Sequence, residues 1–218
     1  SVNEVNFFRG GGTVINVTKN IQTTVFASYK PIDATVDRDT IENSDFDSFG
    51  SIRFDGYHRT TSEIANKNTI HQSNVGAKLQ YKVRDFKLAF NGLYTGFDAP
   101  LIRDEALYRK FLFAGTKLLN GSFDYSWRMR NLTFFGESAI SDNGGTANVH
   151  GLLMGLDKSL DVSVVYRNYT PDYQVLNANA FAEGSQPINE KGFYVGLEMR
   201  PFKNITFSTY ADVWSNPW

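Results

Sequence analysis

The feature of this sequence that most limits its fold is a short turn signal that occurs five times between alternating runs. Each signal is a cation, then a small polar residue that tolerates tight turns, then an apolar residue that begins a new run. The five signals are Lys19-Asn20-Ile21, Arg84-Asp85-Phe86, Arg130-Asn131-Leu132, Lys158-Ser159-Leu160 and Lys203-Asn204-Ile205. Because they recur in phase with the flanking pattern, they predict five β-hairpins.

The runs beside these turns alternate apolar and polar residues with a period of two. Before the second turn, the residues Val75, Ala77, Leu79, Tyr81 and Val83 alternate with Asn74, Lys78, Gln80 and Lys82. The same alternation flanks the other turns, over about ten residues a run. A period of two predicts strands that have one apolar and one polar face.

The lengths of the predicted turns agree with a common apolar face. Val83 and Phe86, like Met129 and Leu132, flank loops of two residues, as a tight hairpin requires. The other three turns predict loops of three residues, with a left-handed residue near the end of each. Asn20, Ser159 and Asn204 occupy that position.

The connections on the opposite side of the predicted sheet are long and polar. They span residues 33–68, 97–111 and 172–191, with a shorter one at 141–146. Tight turns at one rim and long loops at the other are typical of an outer-membrane β-barrel. Soluble β-sandwiches mix short and long loops at both ends.

Composition supports strands and excludes several classes of protein. The chain has 18 Phe, 11 Tyr and 3 Trp, and aromatic residues favour strands. Its 22 cationic and 23 anionic residues leave no charge excess for nucleic acid, and the absence of cysteine excludes disulfides and thiol chemistry. The longest apolar runs are too short for a transmembrane helix.

The alternation alone does not decide between a soluble barrel, with the apolar face inside, and a membrane barrel, with that face on lipid. Strands of about ten residues match a tilted bilayer crossing. Aromatic residues near strand ends fit interfacial girdles, namely Tyr29, Phe86, Trp127, Tyr166 and Trp214. The membrane interpretation predicts lipid-facing positions at Leu79, Tyr81, Leu88, Phe90, Trp127, Val164, Leu197 and Phe207. It predicts lumen-lining positions at Lys78, Arg128, Glu137, Arg167, Glu198 and Arg200.

The predicted topology is an antiparallel up-and-down transmembrane β-barrel in which residues 1–218 form a single domain. Ten strands around five tight turns would place both ends of the segment at the rim of the long loops. Single-chain bacterial barrels have both termini at the rim of the tight turns. We therefore expect a piece of a longer chain, with a barrel of about twelve or more strands.

The last quarter of the chain carries a family resemblance. The stretch that begins "VVYRNYTPDYQ" and runs from 164 to 218, together with "GYHRTTSEI" at 56–64, resembles the barrel region of Bacteroidota outer-membrane proteins that carry a helix-hairpin-helix module. The resemblance implies a barrel in the outer membrane. In that family the module suggests DNA handling, but this chain contains no such module and no basic patch, so no residue here is assigned to nucleic acid.

Few residues suggest catalysis or metal binding. His58, His71 and His150 lie far apart in sequence, without the spacing of a metal site, which favours ordinary loop or lumen residues. Ser138 or Ser141 with His150 could form part of a lipase site, but no nucleophile elbow or neighbouring acid marks either serine. The glycines at 10–12 lack the Lys-Ser/Thr of a phosphate loop and fit a strand.

The acidic loop at 33–68 offers two further motifs. Its carboxylates could bind calcium, although their spacing lacks the glycine and closing glutamate of a helix-loop-helix site, so a solvated loop is favoured. They are Asp37, Asp39, Glu42, Asp45 and Asp47. The triplet Asp39-Thr40-Ile41 resembles an acceptor of Bacteroidota O-glycosylation.

Two functional hypotheses follow, with a third as a check. The first is a non-enzymatic outer-membrane barrel, in contact with lipid, that serves as anchor or conduit for a larger protein or complex. The second is a narrow porin-like solute channel, and the third a soluble barrel that binds an apolar ligand. We expect no cofactor and no direct binding of nucleic acid by this segment, with the tight turns periplasmic and the long loops extracellular.

Overall fold

The chain folds as an all-β protein, in agreement with the period-two pattern. The computed structural model describes residues 7–37, 48–103 and 106–218. A five-residue helix α1, Thr61–Ala65, and a single 3-10 turn, Leu107–Arg109, are the helical elements of this part of the chain. The strands are β1 Gly10–Asn16, β2 Ile21–Ile32, β3 Ala34–Asp37, β4 Ser48–Ile52, β5 Ile70–Val83, β6 Phe86–Leu101, β7 Gly115–Met129, β8 Leu132–Ser141, β9 Thr146–Asp157, β10 Leu160–Tyr169, β11 Glu190–Phe202 and β12 Ile205–Ser215.

All twelve strands belong to one sheet. Ten of them follow the chain in the order β1-β2-β5-β6-β7-β8-β9-β10-β11-β12, so the predicted up-and-down path of ten strands is confirmed. The short strands β3 and β4 pair with each other beside this path, and β4 touches β6 through one parallel bridge, Phe49 to Leu101. The sheet is not closed, and β1 and β12 are its edges in the described chain.

The backbone contacts divide the chain into two compact units. The described residues of the first unit fall within Ser1–Val14, Thr24–Ala77 and Leu93–Leu119. The second unit comprises Ile15–Thr23, Lys78–Gly92 and Asn120–Trp218. The single domain expected from the sequence stays a prediction.

The five turn signals all join neighbouring strands, and two of them have the predicted length. Residues 84–85 connect β5 to β6, and residues 130–131 connect β7 to β8, where Met129 pairs with Leu132. The left-handed residue is the cation in each case, with φ of 49° at Arg84 and 55° at Arg130. A first loop residue in this region suits the right-handed twist of a hairpin.

The prediction of three-residue loops at the other turns is wrong. Four residues, 17–20, separate β1 from β2, and only two, 158–159 and 203–204, separate the other pairs. Asn20, Ser159 and Asn204 do not have positive φ. The first turn is closed instead by the Thr18 hydroxyl, which accepts from the backbone N–H of Asn20 (3.2 Å) and Ile21 (3.0 Å). The other two loops are one residue shorter than predicted, and the strands beside them have an irregular register that accommodates the third residue.

The longest connection, from β2 to β5, contains structure that the sequence analysis did not predict. Helix α1 begins with a capping box in which Thr60 and Glu63 bond each other's backbone N–H. The backbone N–H groups of Arg59 and Thr60 hold the pKa of Glu63 below its usual value. Asp33, between β2 and β3, accepts from the Asn68 N–H at 2.9 Å and lies 2.7 Å from His58 Nε2, so the "GYHRTTSEI" stretch contacts the junction of these two strands.

Candidate functional site

Many apolar side chains on one face of the strands are exposed. Five of the predicted lipid-facing side chains keep between 42% and 57% of their surface accessible. They are Leu79, Tyr81, Phe90, Trp127 and Phe207. The other three, Leu88, Val164 and Leu197, are half-buried. In water, this much exposed apolar surface along whole strands would be unfavourable.

The opposite face, which we call the polar face, contains the buried polar side chains. Asn74 is 0% and Thr95 1% exposed, and the Thr95 hydroxyl donates to Asn74 Oδ1 at 2.8 Å. Ser28, Lys30 and Gln72 are also buried. One strand face therefore exposes large apolar side chains, while the opposite face buries polar side chains together with apolar ones such as Ala89 and Val165, which differs from a water-soluble sheet.

One cluster on the polar face joins β5, β6 and β7. Lys78 Nζ lies 3.0 Å from Asp124 Oδ2, which also accepts from the Asn91 amide at 2.9 Å. The same amide donates to the Ser122 hydroxyl at 3.0 Å. The half-buried carboxylate is thus paired with one cation and held in place by one amide.

A second and more deeply buried cluster surrounds Arg167 of β10. Its guanidinium has no exposed surface, donates from Nε to the Glu190 carboxylate, and donates from Nη1 to Asp212 Oδ1 at 2.9 Å. The Phe181 ring lies 5.1 Å from Arg167 Cζ, and Glu183 Oε1 lies 4.0 Å from Nη2. Gly192 on β11 leaves the necessary space, since a Cβ there would lie 2.6 Å from Arg167 Cζ.

The Arg167 cluster fastens the connection 170–189 to the polar face. Glu190 Oε2 accepts from the backbone N–H of Glu183 (3.0 Å) and Gly184 (3.4 Å). The Tyr169 hydroxyl donates to the carbonyl of Phe181 at 2.8 Å. Tyr169 also packs with Ala147 and Tyr173 in a small apolar core. Burial, with a smaller contribution from the Glu137 charge, raises the pKa of Tyr173 to about 12.

A third group lies on the polar face nearer the tight turns. Arg200 pairs with Asp161 and lies 3.7 Å from Glu198. Beside them is an open cavity of about 610 Å³ that both polar and apolar side chains line. Its wall includes Thr133, Asp161, Ser163, Tyr194, Glu198 and Tyr210. The Tyr194 and Tyr210 rings are stacked, with centroids 5.7 Å apart.

The six predicted lumen positions therefore share the polar face but do not form one site. Lys78, Arg167 and the pair Glu198 and Arg200 belong to three separate clusters. Arg128 and Glu137 are exposed and form no ion pair with another described residue. One aromatic position departs from the girdle prediction, because Trp214 pairs in register with Gly192 and so lies on the polar face.

Sequence reasoning missed the acidic partners of these clusters. Asp124 and Asp212 occur at polar positions of their runs. The alternation alone could therefore have placed both of them on the polar face, with the predicted lumen-lining residues. Glu190 begins β11 beyond a long connection, and only the register between β10 and β11 places it near Arg167.

The three histidines lie in separate places. His58 contacts Asp33, and His71 Nδ1 lies 3.0 Å from Asp98 Oδ2. His150 Nε2 lies 3.4 Å from the Ser138 hydroxyl. Ser141 is buried and donates to Asn143 instead. Within the described residues, no group of three His, Cys, Asp or Glu side chains could hold a metal ion.

The remaining sequence motifs have mixed outcomes. The glycines at 10–12 form part of β1, as predicted, and a Cβ at Gly10 would lie 1.9 Å from the carbonyl oxygen of Ala27. Of the proposed calcium ligands, Asp37 ends β3, whereas Asp39, Glu42, Asp45 and Asp47 lie outside the described residues. The triplet Asp39-Thr40-Ile41 lies outside them as well.

Comparison with known proteins does not assign the chain to a family. Neither a family model, nor a curated protein, nor a solved structure matches it. In the portion of the chain that the structure describes, none of the helices has the length and apolar character needed to span a bilayer.

Proposed function

We propose that this chain is an integral β-barrel protein of the bacterial outer membrane, with its apolar face on lipid. The observation that carries the proposal is that one face of the strands exposes large apolar side chains while the opposite face buries polar ones. Phe90 and Phe207 are more than half exposed, whereas Asn74 and Arg167 are fully buried. In a bilayer the apolar face gains a favourable environment and the polar face meets other polar groups.

The open edges of the sheet support a larger, closed barrel. Backbone N–H and C=O groups of β1 and β12 that have no neighbouring strand would be unsatisfied in hydrocarbon, at a cost of several kcal/mol each. We therefore propose that further strands pair with both edges, which gives a barrel of about twelve or more strands.

The role that fits the polar face best is an anchor or conduit for a larger protein or complex. The connection 170–189 is fastened to that face through Arg167, Glu190 and Tyr169 rather than left free. An ordered connection of this kind suits a fixed scaffold. The last quarter of the chain resembles barrels that carry a helix-hairpin-helix module. As a more specific hypothesis, we propose that this barrel works beside a DNA-handling module.

A narrow solute channel is the second candidate, and the cavity beside Asp161 and Glu198 favours it. Its volume of about 610 Å³ and the polar groups in its wall, Asp161 and Glu198 among them, would admit a small solute. The third hypothesis, a soluble barrel around an apolar ligand, has less support. An apolar ligand on the buried face would contact Arg167 and Lys78 instead of an apolar wall.

The membrane hypothesis predicts how the protein behaves on purification. Extraction from cell envelopes should require detergent, and far-ultraviolet circular dichroism of the extract should be dominated by β-structure. A monodisperse folded protein obtained without detergent would contradict the hypothesis.

Planar-bilayer recordings then separate the two membrane roles, since steady unitary conductance is expected of a channel and none of an anchor.

The orientation can be tested with single cysteines in this naturally cysteine-free chain. Cysteines at Asn20, Asp85, Asn131, Ser159 and Asn204 should be shielded from a membrane-impermeant maleimide on intact cells, because all five tight turns would be periplasmic. Cysteines at Asn143 and Ser185, in the connections at the other rim, should react. All seven should react after the outer membrane is permeabilised, which controls for accessibility. Labelling of two or more turns on intact cells would overturn the proposed orientation.

A further inference from the structure

Ser138, His150 and Tyr125 form a hydrogen-bonded row on the apolar face of β7, β8 and β9. Ser138 Oγ lies 3.4 Å from His150 Nε2, and His150 Nδ1 lies 3.1 Å from the Tyr125 hydroxyl. The imidazole and phenol rings are stacked, with centroids 5.8 Å apart. A serine, a histidine and a group that orients the histidine are the parts of an activated hydroxyl nucleophile.

The backbone between them is shaped to hold the histidine. Gly136 lies between Tyr125 and His150 across the strands, and a Cβ there would come within 2.4 Å of His150 Nδ1. Any larger residue would displace the ring from its position between the two hydroxyl groups. Glycine at this position is therefore a requirement of the arrangement.

The row has an aromatic neighbour on each flank and two side-chain amides beside Ser138. Phe123 and Tyr166 are the cross-strand partners of Ser138 and His150, and both are exposed. Asn148 of β9 pairs with Ser138, and Asn168 of β10 pairs with Asn148. Neither amide is hydrogen-bonded to another described residue, so both can donate to a ligand.

From this geometry we propose that Ser138 and His150 hydrolyse carboxylic esters that have an apolar acyl chain. Ser138 Oγ attacks the ester carbonyl while His150 Nε2 takes the hydroxyl proton, and the Asn148 amide donates to the oxyanion. The carbonyl re-forms as the ester C–O bond breaks, and His150 returns the proton to the departing alcohol. Water, deprotonated by the same nitrogen, then releases the carboxylic acid and restores the serine.

Tyr125 acts as a positioning residue. When His150 Nδ1–H donates to the Tyr125 oxygen, Nε2 is left as the acceptor that faces Ser138. A phenol stabilises the imidazolium less than a carboxylate does, so slow turnover is expected. The choice of an apolar acyl chain rests on the proposed membrane location, whereas the reactivity of Ser138 does not.

The reactivity of Ser138 can be tested with a fluorophosphonate probe on the purified full chain in detergent. Wild type and Ser141→Ala should be labelled alike, Ser138→Ala not at all, and His150→Gln about a hundredfold more slowly. Mass spectrometry of the labelled wild type should locate the adduct on Ser138, a readout that needs no variant to fold. Absence of wild-type labelling, or an adduct on another serine, would overturn the proposal.

Hydrolysis of p-nitrophenyl esters tests the substrate class. The octanoate should be cleaved faster than the acetate, and Tyr125→Phe should lower kcat with little change in KM. Equal rates for the two esters would overturn the apolar acyl chain, and an unchanged kcat would overturn the role of Tyr125. Neither outcome bears on the membrane proposal, which fails only by the detergent and labelling criteria above.

Discussion

Leu79→Arg should lower the free energy of unfolding in lipid vesicles by roughly 2–4 kcal/mol, the range for a cation on the lipid face near the bilayer midplane. The same substitution at the next residue, Gln80→Arg, should change it by less than about 1 kcal/mol, because Gln80 lies on the polar face. Both variants occur in β5 and add the same side chain, so strand propensity and charge are matched. Denaturant titration of the refolded proteins, followed by tryptophan fluorescence, measures the difference.

The comparison is sharp because the two environments predict opposite results for Leu79. It is 49% exposed, and a half-exposed leucine in water could be replaced by arginine at a cost within about 0.5 kcal/mol. Only contact with hydrocarbon makes the substitution expensive. Similar small effects at both positions would contradict the assignment of the apolar face to lipid, and a larger effect at Gln80 would reverse it.

The strands and their order were predictable from the sequence because both follow from local signals. Alternation in the run around Leu79 fixes the faces of β5, and the turn at Arg84-Asp85 fixes its pairing with β6. Hairpin neighbours are close in sequence, so neither inference needs information from distant residues. The five turns account for five of the nine pairings along the path of ten strands, and the other four join strands that follow each other along this path across the connections at the opposite rim.

Turn conformation was less predictable, since several backbone solutions close the same hairpin. The small residues Asn20, Ser159 and Asn204 suited a left-handed position, yet that conformation occurs at Arg84 and Arg130. A hydroxyl bond at Thr18 and irregular register beside the other turns removed the need for it. Thr18 lies outside its turn signal, and the register irregularities lie in the adjoining strands.

The side-chain clusters depend on registers that no local pattern encodes. Arg167 and Glu190 are separated by a connection of twenty residues, and Asp212 is brought near only through β11. Ser138 and His150 meet because the turn at 142–145 pairs Ser138 with Asn148. The sequence analysis did not favour a site at this serine and histidine because no motif surrounds them. Residues on paired strands can nevertheless lie close together without any local motif.

The second large effect is expected at Arg167. Replacement by methionine keeps much of the side-chain volume but leaves Glu190 and Asp212 without a cation in a buried site. Removing one partner of a buried charge cluster costs about 3–5 kcal/mol. Arg200→Met is the matched control, because the Arg200 pair with Asp161 is exposed and such pairs contribute about 1 kcal/mol or less.

The origin of the loss at Arg167 can be separated from simple packing by neutralising its partners. Arg167→Met combined with Glu190→Gln and Asp212→Asn should recover a substantial part of the stability, since no unpaired charge then remains buried. The connection 170–189 should become protease-sensitive in the single variant, because Glu190 loses the cation that orders it against Glu183 and Gly184. If the triple variant is no more stable than Arg167→Met, packing rather than charge fastens the connection. If Arg200→Met is as destabilising as Arg167→Met, the buried cluster has no special role in the fold.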